Sequence, residues 1–171
     1  FLAEHKGGYT EFDVLLNKAA KFDKNNELVV IVDSTENKEI PPFGGQIDYL
    51  TYGGIYREVQ LKLLPNVHIS NIFCKTNNIS KREKSLVVDI YLHNELKNKE
   101  KIKLKAILKN NNKIIAKSSK FFEIKKLKEK VEIAFPDLEN IKLWNIDTPE
   151  LYNVEIELII PQVSKFSARD S

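Results

Sequence analysis

Two groups of residues in this sequence have side chains suited to chemistry: its many carboxylates, and a cluster of aromatics and glycines around one aspartate. The carboxylates yield little. The chain has 24 Asp and Glu against 27 Lys and Arg, and most of the acids fall on the polar side of alternating patterns, where solvated surface charge is the expected role. His5, His68 and His93 are scattered along the chain. No Ser/His/Asp or Cys/His arrangement is suggested, and no Cys or His cluster has metal-ligand spacing. Neither a metal nor any other cofactor is expected. Cys74 follows Ile72 and Phe73 on an apolar strand pattern, so it reads as a buried small residue rather than a nucleophile. The aromatic cluster is more informative. Residues 34–54 are rich in Pro, Gly and Tyr and carry Phe43, Asp48, Tyr49 and Tyr52. Long irregular segments inside compact domains are uncommon and usually functional. A carboxylate such as Asp48 accepts backbone N–H bonds in its own turn. It can equally accept a ligand's hydroxyl groups, at about 1.5–3 kcal/mol for each charge-assisted bond. Tyr49 and Tyr52 suit packing or binding equally, whereas Tyr56, at the start of a strand pattern, suits packing.

The elements that must position these residues are strands. Leu86, Val88, Ile90 and Leu92 share one face, with Asp89, Tyr91 and His93 on the other. Ile102, Leu104, Ala106 and Leu108 repeat the pattern, as do Val131, Ile133 and Phe135, and then Val154, Ile156, Leu158 and Ile160. Period-two alternation is what a strand shows between a core and water. The turn residues between these runs fall at the spacing of an antiparallel sandwich. The first half reads differently: residues 27–32 and 55–64 are nearly continuous apolar runs, as for strands buried on both faces. Residues 13–20 suit a short helical turn. Pro65 and Asn66 mark the expected boundary.

Composition narrows the classes further. A 42% hydrophobic and 30% charged chain is ordinary for a globular protein. The net charge of +3 is small and dispersed, unlike the one-sided charge of a nucleic-acid binder. The densest basic run, Lys125-Lys126-Leu127-Lys128-Glu129-Lys130, is expected to cover a solvated turn. No apolar run approaches the roughly 18 residues of a membrane span, so no membrane partner is expected. One cysteine rules out an intrachain disulfide and leans the compartment toward a reducing, cytoplasmic one. The chain has no methionine and opens at Phe1, so its natural start is expected to lie upstream.

Three ordered stretches resemble the non-catalytic front of glycoside hydrolase family 2. His5-Lys6-Gly7-Gly8-Tyr9-Thr10-Glu11-Phe12 is like the H-x-G-G-Y-x-x-F segment of that family's sugar-binding jelly roll. The run from Ile40-Pro41-Pro42-Phe43-Gly44-Gly45 through Ile47-Asp48-Tyr49-Leu50-Thr51 to Gly53-Gly54-Ile55-Tyr56-Arg57 is similar to the loop and strand of the β-galactosidase branch. Leu143-Trp144, followed by Pro149, Leu151 and Tyr152, matches the L-W-x-x-x-x-P-x-L-Y signature near the end of the next sandwich. The tail from Val163 to Asp170 resembles the F-G-x-R approach to the catalytic barrel, with Ser167 where glycine is usual.

The resemblance implies an all-β fold, a partial jelly-roll followed by an immunoglobulin-like β-sandwich. Residues 1–65 would end the jelly roll, 66–161 form the sandwich and 162–171 begin the linker to a barrel. It implies a fragment of a β-galactosidase-like enzyme, with a β-glucuronidase as the alternative parent. Both catalytic glutamates would lie on the barrel, beyond this chain. Asp48 would contact a sugar hydroxyl at the active-site mouth, with Tyr49 and Tyr52 beside it as substrate-binding residues. Carbohydrate would bind only in the intact enzyme, whose barrel and upstream jelly-roll strands are the expected partners. Local disorder or self-association through exposed strand edges is expected of the fragment alone. Two other classes stay open: a stand-alone carbohydrate-binding module and a purely structural sandwich. Arg57 and Glu58 read as structural. Leu143, Trp144, Leu151 and Tyr152 are spaced to anchor a loop over the end of the sandwich.

Overall fold

A computed structural model of the chain describes residues 1–41, 52–96 and 98–161. The chain divides into two compact units, Phe1–Leu61 and Lys62–Ser171. No helix occurs among the described residues, and the chain is all-β.

The second unit holds six strands: β1 Val67–Asn77, β2 Lys84–Asn94, β3 Glu100–Asn110, β4 Lys113–Ile124, β5 Lys128–Leu138 and β6 Asn153–Ile159. They form two antiparallel three-stranded sheets, ordered β1-β2-β5 and β4-β3-β6. The links β2–β3, β4–β5 and β5–β6 each cross from one sheet to the other, which makes a sandwich rather than a meander. The core lies between the sheets, where the alternating residues read from the sequence meet. Val88, Ile90, Ile102, Leu104 and Ala106 are completely buried, as is Ile124, and Leu92, Val131, Ile133 and Phe135 nearly so. Val154, Ile156 and Leu158 pack partly buried against them. Ile160 falls just past β6 and is exposed.

Local chemistry sets the joints. β3 and β4 are linked by Asn111 and Asn112 alone, with Asn111 at φ 50°. Asn tolerates this left-handed conformation better than other side chains, which suits a two-residue hairpin. The run 125–130 does turn the chain: the Lys125 and Lys126 N–H groups both donate to Glu129 Oε1, at 2.8 and 2.7 Å. β5 contains Pro136, which donates nothing to a ladder. It is tolerated because β5 is an edge strand and because the register shifts there, with Asp137 at φ 50°.

The first unit departs from the sequence expectation. No ladder forms among its described residues, and residues 27–32, expected to be buried on both faces, are exposed. Val29 is 72% and Ile31 90% exposed, as are Val59 and Leu61 at 73% and 77%. A doubly buried strand needs hydrogen-bonded neighbours at both edges and packed layers on both faces, and the described residues of this unit supply neither. The short turn does form: the Ala19 and Ala20 N–H groups both donate to Leu16 O.

Candidate functional site

Asp48 and Tyr49 lie outside the described residues, as does Phe43. What is described is the neck from which their loop springs. On its leading side, short polar residues cap their own turns. Thr35 N–H donates to Asp33 Oδ1 at 2.9 Å, Glu39 N–H to Asn37 Oδ1 at 2.8 Å and Ile40 N–H to Asn37 O at 3.1 Å. Hydrogen bonds from the Thr35 side chain, and then from its N–H, hold the Asp33 carboxyl below its ordinary value. On the trailing side Gly53 approaches Ser34 so closely that an added Cβ would stand 3.0 Å from Ser34 Oγ. The two ends of the 34–53 segment therefore meet, and glycine permits the approach. Gly54 follows at φ 91°, in the region glycine favours.

The third sequence-predicted residue, Tyr52, is 75% exposed. Its ring lies 6.1 Å from that of Tyr56, tilted by 52°. The Arg57 guanidinium stands 5.5 Å from the centre of the Tyr56 ring. Arg57 thus stacks on an aromatic face, a contact within cation–π range. Two exposed tyrosines and a five-donor guanidinium form a surface suited to the C–H faces and hydroxyls of a sugar. Sequence reasoning singled out Tyr52 but treated Arg57 as a strand residue. Arg57 directly follows Tyr56, and neighbours along a strand pattern point to opposite faces, so the spacing gave no hint of the stacking. The histidine of the opening motif packs locally: His5 stacks on Phe12 at 4.3 Å and shares a 3.1 Å hydrogen bond with Thr10 Oγ1.

The second unit brings other titratable groups together. Asp89 and Glu132 are cross-strand partners on the outer face of β1-β2-β5. Asp89 Oδ1 is 2.8 Å from Lys75 Nζ and its Oδ2 3.4 Å from Lys130 Nζ, which also reaches Glu132 at 3.0 Å. The Asp89 side chain is only 6% exposed. Its hydrogen bond from Lys75, aided by Lys130, overcomes desolvation and holds its carboxyl below the ordinary value. The Lys75 ammonium is raised in return, first by Asp89. A general acid for glycoside cleavage needs the opposite, a carboxyl pushed up; this cluster is suited to binding strands together. His68 and His93, distant in sequence, are register partners with rings stacked 5.0 Å apart. His68 Nδ1–H donates to Pro65 O, and His93 Nε2–H to Glu95 Oε2, both at 2.9 Å. No group of three or more metal-ligating side chains assembles among the described residues.

Two expectations about packing need correction. Cys74 faces the core by register, opposite Val88, yet it is exposed. It lines an apolar cavity of about 440 Å³ between the sheets, walled by Ile72, Leu86, Leu138, Ile141 and Val154. The cavity opens one side of the thiol while its apolar walls still push the thiol's pKa up. Of the residues expected to anchor the loop before β6, Tyr152 does so, packing on the core and accepting a hydrogen bond from Lys142 N–H at 3.1 Å. Leu143, Trp144 and Leu151 are 47%, 59% and 74% exposed. Ile141 takes the second packing position instead.

Comparison with known proteins gives a consistent result. Residues 67–165 match the family of glycosyl hydrolases family 2. The chain is 40% identical to a β-galactosidase of Thermoanaerobacterium thermosulfurigenes, across all of this chain and 25% of that protein. It is 34% identical to a β-galactosidase of Thermoanaerobacter pseudethanolicus over 93% of its length and 21% of that relative. Among solved structures, a calcium-binding mutant of Bacteroides uniformis β-glucuronidase 2 superposes with a TM-score of 0.82 at 28% identity, covering 93% of this chain and 20% of that one. The chain therefore spans a quarter or less of the length of these relatives.

Proposed function

Because the chain belongs to glycosyl hydrolase family 2, we propose that it is the front part of a retaining β-galactosidase whose catalytic carboxylates lie outside it. Residues 1–65 close a sugar-binding jelly roll, 66–161 are a sandwich that braces the catalytic barrel, and 162–171 lead toward that barrel. Asp48 reaches the active-site mouth and accepts a hydrogen bond from a hydroxyl of the terminal galactose. Tyr49 and Tyr52 flank it as apolar faces for the sugar ring. The observation that carries the substrate assignment is the 40% identity with a β-galactosidase along the whole of this chain. The closed neck at Ser34 and Gly53 supports the role of the loop, since a loop held at its base loses less entropy on meeting substrate.

A second reading, a β-glucuronidase, is favoured by the TM-score of 0.82 with a β-glucuronidase structure. Arg57 suits it, because a guanidinium pairs well with the carboxylate of a glucuronide. The two readings part in one experiment. The whole protein is assayed on nitrophenyl β-galactoside and nitrophenyl β-glucuronide, with the anomeric product followed by NMR. Preference for the galactoside with retained configuration is expected, and the 171-residue chain alone should turn over neither. Preference for the glucuronide would overturn the galactosidase reading.

A further inference from the structure

The loop between β5 and β6 is built to keep its shape. Thr148 N–H donates to Asn145 Oδ1 at 2.7 Å, Asn145 N–H to Thr148 O at 3.3 Å and Glu150 N–H to Thr148 O at 2.8 Å. Both flanks are tied down. Lys142 N–H bonds to the Tyr152 hydroxyl, and Asn110 Nδ2 donates to Glu150 Oε1 at 3.1 Å. Ile141 and Tyr152 seat the loop on the core. On this fixed frame Trp144, Ile146 and Leu151 are 59%, 86% and 74% exposed. Large apolar side chains held rigidly in water mark interaction sites. Tryptophan is the residue most enriched at the energetic centres of interfaces, and a preformed loop reduces the entropy lost on docking.

The register tells what can cover the loop. β1 begins and β6 ends at one end of the sandwich, where Val67 pairs Asn94 and Ile159 pairs Lys103. The loop lies at the other end, beside the Asn110 to Lys113 turn. At roughly 3.3 Å per residue, the seven residues of β6 put about 25 Å between the loop and residue 160. A cover that follows residue 160 in the chain must therefore fold back over that distance. The β-galactosidase relatives have at least three quarters of their length beyond the part this chain matches. Within residues 141–152 the charged residues are Lys142, at the base where its N–H meets Tyr152, and Asp147 and Glu150 between Leu143 and Leu151. Glu150 is already engaged by Asn110. Asp147 is left to complement a cation.

We infer that residues 141–152 are a docking knob, through which this sandwich seats in an apolar, cation-rimmed recess on the catalytic part of its own polypeptide. The inference rests on the reading of the chain as part of a larger glycosidase. It names the contact surface by which the sandwich braces that part.

Hydroxyl-radical footprinting of the whole protein and of the 171-residue chain, at equal dilute concentration, tests it. Trp144, the one tryptophan of this chain, should be oxidised several-fold more slowly in the whole protein. Trp144→Ala should lower the melting temperature of the whole protein and leave that of the 171-residue chain unchanged. Equal oxidation in both would overturn the docking role. Equal losses of melting temperature would overturn it too, making Trp144 a residue of the sandwich fold. Protection that grows with the concentration of the 171-residue chain would assign the knob to a second copy and overturn the proposed occupant. Galactoside turnover is measured in parallel. Turnover with Trp144 unprotected sinks the docking surface alone, and protection without turnover sinks the substrate reading alone.

Discussion

At the scale of single residues, Asp48 and Asp89 carry opposite expectations. Asp48 is proposed to meet substrate, so Asp48→Asn in the whole protein should leave folding nearly intact. Loss of a charge-assisted hydrogen bond of about 1.5–3 kcal/mol lowers kcat/KM by roughly 10- to 150-fold. Steady-state kinetics on nitrophenyl β-galactoside read this directly, and an unchanged kcat/KM would return Asp48 to its own turn. Asp89 serves the fold. Its carboxyl is held low by Lys75 and Lys130, so its stabilising effect is fully present above its unfolded pKa of about 3.9. The effect is lost as the pH falls through the lower folded value. Asp89→Asn should therefore melt at a lower temperature than the parent chain at pH 7, and the gap should close below about pH 4. A gap that persists or widens in acid would assign the loss to packing rather than charge.

At the scale of elements, the hairpin joining β3 and β4 is the sharpest test. Asn111 sits at φ 50° in a two-residue turn, where a β-branched residue meets its own backbone. Asn111→Val should destabilise the second unit by about 1–2 kcal/mol, whereas Asn111→Gly should cost little. Urea unfolding followed by circular dichroism measures both. Equal stability of the Val and Gly variants would mean the turn does not hold the left-handed conformation. β4 itself was poorly legible in the sequence. Its doublets Ile114-Ile115, Ser118-Ser119 and Phe121-Phe122 break the alternation. As an edge strand it need keep only part of one face buried, so its pattern is under weaker constraint.

At the scale of the whole molecule, the two units differ in how much they bury. The second unit has a closed core of buried residues from Val67 to Leu138. The described residues of the first unit include none that is buried. Proteases need accessible backbone that can open locally, and resistance follows packing and ladder hydrogen bonds. Limited proteolysis of the 171-residue chain should cut first within residues 1–61 and leave residues 67–159 intact. Amide exchange should be slowest in β2 and β3, each of which is paired on both sides. Equal protection of both units in a monomeric sample would show that the first unit closes a core of its own.

The sequence by itself determined the sandwich, because a strand between core and water must alternate, and Leu86 to Leu92, Ile102 to Leu108 and Val131 to Phe135 do so with one apolar exception each, at Val87, Ile107 and Ala134. It determined the family as well, through three ordered motifs that span both units. Pairing, however, is set by partners that are distant along the chain. Tertiary structure decided that Asp89 is buried on an outward face, because two lysines from neighbouring strands close over it. It also stacked His68 on His93 across a register that no local spacing announces. The apolar run at residues 27–32 marks the limit of local pattern. Its composition is that of a buried strand, but burial requires neighbours, and the described residues of its own unit provide none. Trp144 makes the same point at the other end of the sandwich. An aromatic in a tight motif suits a core or an interface equally, and only the packing of Ile141 and Tyr152 beneath the loop left Trp144 on the outside.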